Sequence, residues 1–233
     1  MERYKRNELI QGIGKKGQQK LSAAKVLVVG AGGLGSPVLY YLAAAGIGTL
    51  GIIDSDKVDE SNLQRQIIHR TEDVNRLKVE SAAEKIQALN PLVKVNTYAE
   101  RFTLTNGKSI LQEYDYVVDC CDNYAGKYLI NDLCVEAEKP YTHGAVLAMR
   151  GEVMSYQPGY ADYRSVFEKP PLEGTYQSSD TVGILGAVAG MVGCIQATEV
   201  IKYFTGAGCL ILDRIVLIDA RTLQFHSLRV SRK

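Results

Sequence analysis

No two cysteines in this chain are spaced C-x-x-C, and the five present (Cys120, Cys121, Cys134, Cys194 and Cys209) are odd in number. A disulfide framework or a four-thiolate zinc site is therefore not expected, and a reducing cytoplasm is the natural compartment. The chain also lacks a dominant charge. Its 27 basic residues stand against 26 acidic ones, so no global field draws it towards nucleic acid or a membrane surface. Met1 to Ile10 mixes charges with no apolar core, so no signal peptide is expected. No internal repeat is visible. Long apolar runs are nearly missing too. The exception, Val182 to Ile201, is glycine-rich and suggests a membrane span. Gln196, Thr198 and Glu199 interrupt it, and a single span would stand alone. A buried helix is expected instead, with Gly186-x-x-x-Gly190 marking close packing between helices. The three histidines, His69, His143 and His226, have neither metal-ligand nor triad spacing and read as structural or surface groups.

What is present starts from Val26 to Asp56. Val26-Leu27-Val28-Val29 is a short apolar run without a polar break, as expected of a strand buried on both faces. It leads into Gly30-Ala31-Gly32-Gly33-Leu34-Gly35, then into Ser36-Pro37 and an Ala/Leu/Tyr helix that ends at Gly46. A second apolar run, Leu50 to Ile53, stops at Asp54. Strand, glycine turn, helix, strand and acid together point to nucleotide binding. The glycines let the backbone approach a phosphate, the helix start offers free N–H groups, and Asp54 is placed for ribose hydroxyls.

The remaining elements follow in order. Residues 1–24 read as a polar helical arm and Ser55 to Gln66 as a loop or single turn. A helix starts near Lys78 and stops at Asn90-Pro91. A third strand spans Val93 to Tyr98, a short helix 103–112, and a fourth strand ends at Asp119-Cys120. Asp122-Asn123 opens the next helix, and a fifth strand lies around Tyr141 to Ala145. Beyond it, Met149–Tyr156, Leu210–Asp219 and Leu223–Val230 read as antiparallel strands, with a crossover loop over 157–181. The expected fold is a three-layer, Rossmann-like α/β domain over residues 1–233. Its mixed sheet is parallel in the N-terminal part and antiparallel at the C-terminal strands. An apolar fraction of 46% is ample for its core.

Along the carboxyl edge of such a sheet would lie the glycine turn, Asp54, the Asn62–Arg65 loop, Lys78 and Asp122. A dinucleotide-binding oxidoreductase needs only the first two. Two cations facing an acid suit a nucleoside triphosphate with its metal ion: the cations spread phosphate charge, and a carboxylate holds Mg²⁺. Taken singly, Lys78 and Arg65 are ordinary surface cations, and Asp122-Asn123 is an ordinary helix cap.

Six motifs in matching order extend the reading: Arg3-Tyr4-x-Arg6, Gly30-x-Gly32-Gly33-Leu34-Gly35, Asp54-x-Asp56, Ser61-Asn62-Leu63-x-Arg65-Gln66, Lys78-Val79 and Asp119-x-x-Asp122-Asn123. With them the chain resembles the MoeB/ThiF/HesA adenylyltransferases, bacterial relatives of ubiquitin-activating enzymes. The resemblance implies ATP-dependent activation of the C-terminal Gly-Gly tail of a small ubiquitin-like sulfur-carrier protein as an acyl-adenylate, in thiamine, molybdopterin or related sulfur metabolism. It implies nucleotide contacts from Gly30, Gly32, Gly33 and Gly35, from Asp54 at the ribose, from Ser61, Asn62, Leu63, Gln64 and Arg65, and from Lys78, Asp122 and Asn123. Arg65, Lys78, Asp122 and Arg6 carry the catalytic roles, Asp122 takes Mg²⁺, and Arg6 reaches the site of the partner subunit in a homodimer.

Two departures accompany the resemblance. Many members bind zinc through two C-x-x-C pairs, and the first pair's positions here read Asp162 and Ser165, so no zinc is expected. The family's sulfur-transfer cysteine corresponds to Ser179, so adenylation is expected to survive and a covalent thiol step there is not. Competing readings are a tRNA-modifying carboxylate-activating dehydratase of the same fold, an NAD-dependent oxidoreductase, and a non-catalytic scaffold. The near-neutral charge weighs against the first. No nucleic-acid or membrane partner is expected.

Overall fold

The computed structural model describes residues 2–172 and 175–232. Met1 in the expected arm, Glu173 and Gly174 in the expected crossover, and Lys233 lie outside the described residues. The strands are β1 (Lys25–Val29), β2 (Thr49–Ile53), β3 (Lys94–Tyr98), β4 (Tyr116–Asp119), β5 (Tyr141–Leu147), β6 (Arg150–Tyr156), β7 (Arg214–Asp219) and β8 (Gln224–Arg229). They form one sheet in the order β3-β2-β1-β4-β5-β6-β7-β8. Pairing is parallel from β3 through to β5 and antiparallel from β5 to β8. The expected mixed sheet is borne out.

Strand periodicity builds two cores. Val26, Val28, Tyr116 and Val118 point into one, and Leu27, Val29 and Val117 into the other. Helices α1 (Lys5–Glu8), α2 (Gly14–Ala23), α3 (Gly35–Ala45) and α4 (Lys78–Leu89) precede α5 (Leu104–Gln112) and α6 (Tyr124–Glu136). They are followed by α7 (Tyr163–Val166), α8 (Ser179–Val182) and α9 (Gly186–Thr205). Helices α3, α4 and α9 cover the first core, and α5 and α6 the second.

The arm is helical in pieces: Gly12 and Gly14, at φ of 93° and 56°, separate α1 from α2. Two element starts are corrected. The helix expected from Val182 starts only at Gly186, because Gly183 takes φ of 76° and Leu185 is extended. The strand expected from Leu210 begins only at Arg214. The Ile211 N–H is spent on the buried Glu199 carboxylate at 2.7 Å, and Asp213 turns the chain at φ of 53°. Close packing also falls on a different glycine pair. A Cβ at Gly193 would sit 2.5 Å from Pro37 and one at Gly186 2.4 Å from the Gln64 carbonyl, whereas Gly190 has open space around it. Among the described residues no helix is long and apolar enough to cross a membrane.

In the crossover, Asp162 and Ser165 close a capping box on α7, with the Ser165 hydroxyl donating to Asp162 at 2.6 Å. The buried Tyr163 ring rests against His143 at 4.6 Å.

Candidate active site

Register fixes the site. Val29 pairs with Ile53 on β2 and with Asp119 on β4, so Gly30, Asp54 and Cys120 leave the sheet at one level. The strands after β1 lie on opposite sides of it, β2 on one and β4 on the other. The glycine turn therefore sits at a topological switch point, where open α/β sheets hold ligands. Gly30 takes φ of 103°, and a Cβ at Gly35 would lie 2.1 Å from the Gly30 carbonyl oxygen. Only glycine permits a turn this tight.

Asp54 anchors the turn. Its two carboxylate oxygens accept the N–H groups of Ala31 and Asp56, each at 2.8 Å. Burial lifts its pKa, and the charge of Lys78 and the two N–H groups pull the other way. Below the turn lies His69, which the sequence marked as a structural or surface group. Its Nε2–H donates to the Ala31 carbonyl at 2.9 Å, which leaves Nδ1 to accept from Ser81 at 2.8 Å. Burial lowers its pKa, in keeping with this neutral tautomer.

The loop after β2 brings the cations. Ser61 and Asn62 lie in a short 3-10 turn capped by Asp59, and Leu63 follows. Arg65 donates to the Ser61 carbonyl at 3.1 Å, and a Cβ at Gly33 would stand 3.5 Å from its Cγ. The remaining Arg65 donors have no partner among the described residues. Gln64 and Arg65 are wedged under the first turn of α9, whose Ala189 also touches the Gly33 position. Gln66 is buried against Gly32, and its Oε1 lacks a hydrogen-bond partner among the described residues. Lys78 opens α4, its side chain 8% exposed, and pairs with Asp56 at 2.9 Å. The structure thus brings the glycine turn, Asp54, Arg65 and Lys78 into one wall.

Asp122 and Asn123 follow β4, next along the same edge. Asn123 caps α6 by accepting the Gly126 N–H at 2.8 Å, so capping leaves Asp122 over. The Asp122 carboxylate is exposed and, among the described residues, accepts only from the Asn123 amide, at 3.3 Å. One exposed carboxylate beside a phosphate-binding turn fits Mg²⁺, which keeps waters and phosphate oxygens as its other ligands. Among the described residues no group of three or more His, Cys, Asp or Glu is placed to hold a metal ion. A cleft of about 230 Å³, lined by Tyr124, Tyr128, Glu152 and Phe167, opens by the first turn of α6. A larger, shallower one of about 440 Å³ between Lys20 and Tyr203 contains none of the residues above.

Arg6 is not brought to this site. Its arm packs on the opposite edge of the sheet. Tyr4 is buried there against Gly46 at the end of α3 and accepts from Asn90 at 2.8 Å, while Arg3 donates to the Leu89 carbonyl. Arg6 is exposed. Cys120 and Cys121 end up under the turn, and burial pushes both thiols well up, so neither is a poised thiolate. Ser179 is the first residue of α8.

Behind Asp122 lies a buried polar cluster of Asp119, Lys127, His143 and Glu152. Sequence spacing could not find it, because strand pairing and a helix turn assemble it. The one signal was an acid ending an otherwise apolar strand.

The chain matches the ThiF family over residues 4–233. It is 41% identical to the probable adenylyltransferase/sulfurtransferase MoeZ of Mycobacterium tuberculosis, across 99% of this chain and 60% of that protein. It is 40% identical to the sulfur carrier protein adenylyltransferase of Thermus thermophilus, across 100% of this chain and 88% of that protein. A SAMP-activating enzyme E1 of Haloferax volcanii is 40% identical across 97% and 84%. Among solved structures, E. coli MccB with MccA-N7isoASN superposes with a TM-score of 0.86 at 25% identity, covering 99% of this chain and 72% of that one.

Proposed function

From the premise that the chain belongs to the ThiF family, we propose that it is an ATP-dependent adenylyltransferase. Its substrate is the C-terminal Gly-Gly carboxylate of a small ubiquitin-like sulfur-carrier protein, activated as an acyl-adenylate in thiamine, molybdopterin or related sulfur metabolism. The chain spans about 60% of the length of MoeZ, and the reading covers residues 1–233 as one adenylation unit in the cytoplasm. The names of the Thermus and Haloferax relatives support the carrier substrate. The observation that carries the reading is the common edge: glycine turn, Asp54, Arg65, Lys78 and Asp122 all leave the ends of β1, β2 and β4 or the loop between β2 and α4.

A carboxylate is already a nucleophile at neutral pH, so the reaction needs no general base. Its obstacle is repulsion between two anions. The turn's N–H groups and the start of α3 receive phosphate oxygens, and Asp54 accepts from the ribose. Gly30, Gly32, Gly33 and Gly35 admit the nucleotide to the backbone. Ser61, Asn62, Leu63 and Gln64 line it, and Asn123 sets the turn beside it. Arg65 and Lys78 face the charge developing on the phosphates. Lys78 arrives already desolvated, and its Asp56 partner, 61% exposed, is free to turn outward. Asp122 would hold Mg²⁺, which when bound neutralises the triphosphate and eases departure of pyrophosphate.

Arg6 serves a partner's site in this reading, because its own lies across the sheet. A homodimer is supported further by α9, whose Met191 and Ile195 stay only half-buried against the core. No thiol transfer is assigned to Ser179.

The test is pyrophosphate exchange into ATP. Exchange should require a carrier ending in Gly-Gly and should fall to background in Asp122→Ala. Unchanged exchange in that variant rejects the assigned role.

A further inference from the structure

Asp122 contributes almost nothing to its own placement, since its carboxylate has one long hydrogen bond to its neighbour. The turn around it is pinned elsewhere. The Cys120 N–H donates to Val29 at 2.9 Å, and the Cys121 N–H donates to the Asp119 carboxylate at 3.0 Å. The Cys121 carbonyl, in the peptide that leads directly into Asp122, is held by a single group among the described residues: the Lys127 ammonium, at 2.7 Å.

Lys127 lies in the first turn of α6 and reaches back over the turn. Its other two donors go to the Gly144 carbonyl on β5, at 2.7 Å, and to Asp119 Oδ2, at 3.4 Å. Three donors meet three acceptors, so nothing is left for a ligand. The ammonium is 6% exposed, and its counter-charge Asp119 is 1% exposed. Burial would raise the Asp119 pKa, but Lys127 and His143 outweigh it and hold the carboxyl below its ordinary range. A cation this desolvated, tied to β4, β5 and the turn at once, fixes one peptide plane relative to the sheet.

We infer that Lys127 is the positioning residue for Asp122: its ammonium sets the Cys121–Asp122 peptide so that the carboxylate faces the glycine turn. The inference rests on Asp122 holding Mg²⁺ as proposed above. Supporting partners behind metal ligands typically matter by about 10- to 100-fold in metal affinity, and that is the effect expected here.

Calorimetric titration of ATP into the full chain, with and without Mg²⁺, measures how much the ion tightens ATP binding. Asp122→Ala should abolish the gain. Lys127→Met should reduce it by about 10-fold or more while leaving metal-free ATP binding unchanged. Lys127→Arg, which keeps donors for both carbonyls, should recover most of it. The double variant should bind as Asp122→Ala does, because positioning a missing carboxylate has no consequence. If Lys127→Met does not melt cooperatively, Asp119→Asn reads the same quantity, with a smaller loss in the same direction. A wild-type gain in Lys127→Met, or equal losses with and without Mg²⁺, overturns the inference and leaves the adenylation reading intact. A wild-type gain in Asp122→Ala removes the Mg²⁺ assignment, and this inference falls with it.

Discussion

Asp73 has no place in the chemistry, yet it holds the loop that delivers Arg65 and Lys78. Its side chain is fully buried and accepts from Lys85 at 2.7 Å, from Arg76 at 2.7 Å and from the Arg70 N–H at 2.8 Å. Burial alone would raise its pKa, but the Lys85 ammonium and the Arg70 N–H lead the contacts that outweigh it and bring the carboxyl down from 3.8 to about 2. At about 1.4 kcal/mol per tenfold change in proton affinity, that lowering corresponds to roughly 2 kcal/mol. Arg76 is 40% exposed, and solvent screening brings the expected contribution to about 1–2 kcal/mol. The folded-state pKa lies below the unfolded one. The contribution is therefore complete above about pH 4 and is lost as pH falls through about 2. Asp73→Asn should lower the urea midpoint at pH 7 without changing the slope, and the gap from wild type should close towards pH 2. Asp73→Ala should cost more, about 3 kcal/mol, because it also leaves the buried Lys85 cation with only the longer Glu84 pair at 3.3 Å. A gap that persists undiminished at low pH, or none at pH 7, refutes the reasoning.

Gly35→Ala places a Cβ 2.1 Å from the Gly30 carbonyl oxygen. The turn must open, and calorimetry should find ATP binding weakened by at least about tenfold, or 1.4 kcal/mol. Arg6→Ala and Asp122→Ala should each be inactive in pyrophosphate exchange. Mixed and allowed to re-equilibrate, they should regain about a quarter of wild-type activity, because each mixed dimer has one site free of both lesions. No recovery, with mixed dimers present, would place Arg6 outside the partner's site.

The half of the fold that was legible in sequence is the half built from local rules. Val26 to Asp56 declares itself because an unbroken apolar strand, glycines at fixed offsets and a terminal acid each report their own conformation. Two boundaries were hidden for one reason. Hydropathy runs smoothly from Val182 into α9 and from Leu210 into β7, while the actual starts are set by backbone angles at Gly183 and Asp213. Motif order named Lys78, Arg65 and Asp122, but not what holds them. Asp73, His69 and Lys127 act through partners 12 to 38 positions away or across a strand pair, and no spacing rule reaches that far. The G-x-x-x-G pair illustrates the limit: the pattern was present, but Gly193 rather than Gly190 packs against α3.

The central claim is that the tail carboxylate attacks the α-phosphorus of ATP at the edge formed by β1, β2 and β4. Incubating the protein with a Gly-Gly carrier and ATP labelled at either the α- or the γ-phosphate tests it directly. The claim predicts label on the carrier from α-labelled ATP alone, with the γ label recovered in pyrophosphate. Label on the carrier from γ-labelled ATP, or recovery of that label as inorganic phosphate without α transfer, contradicts it.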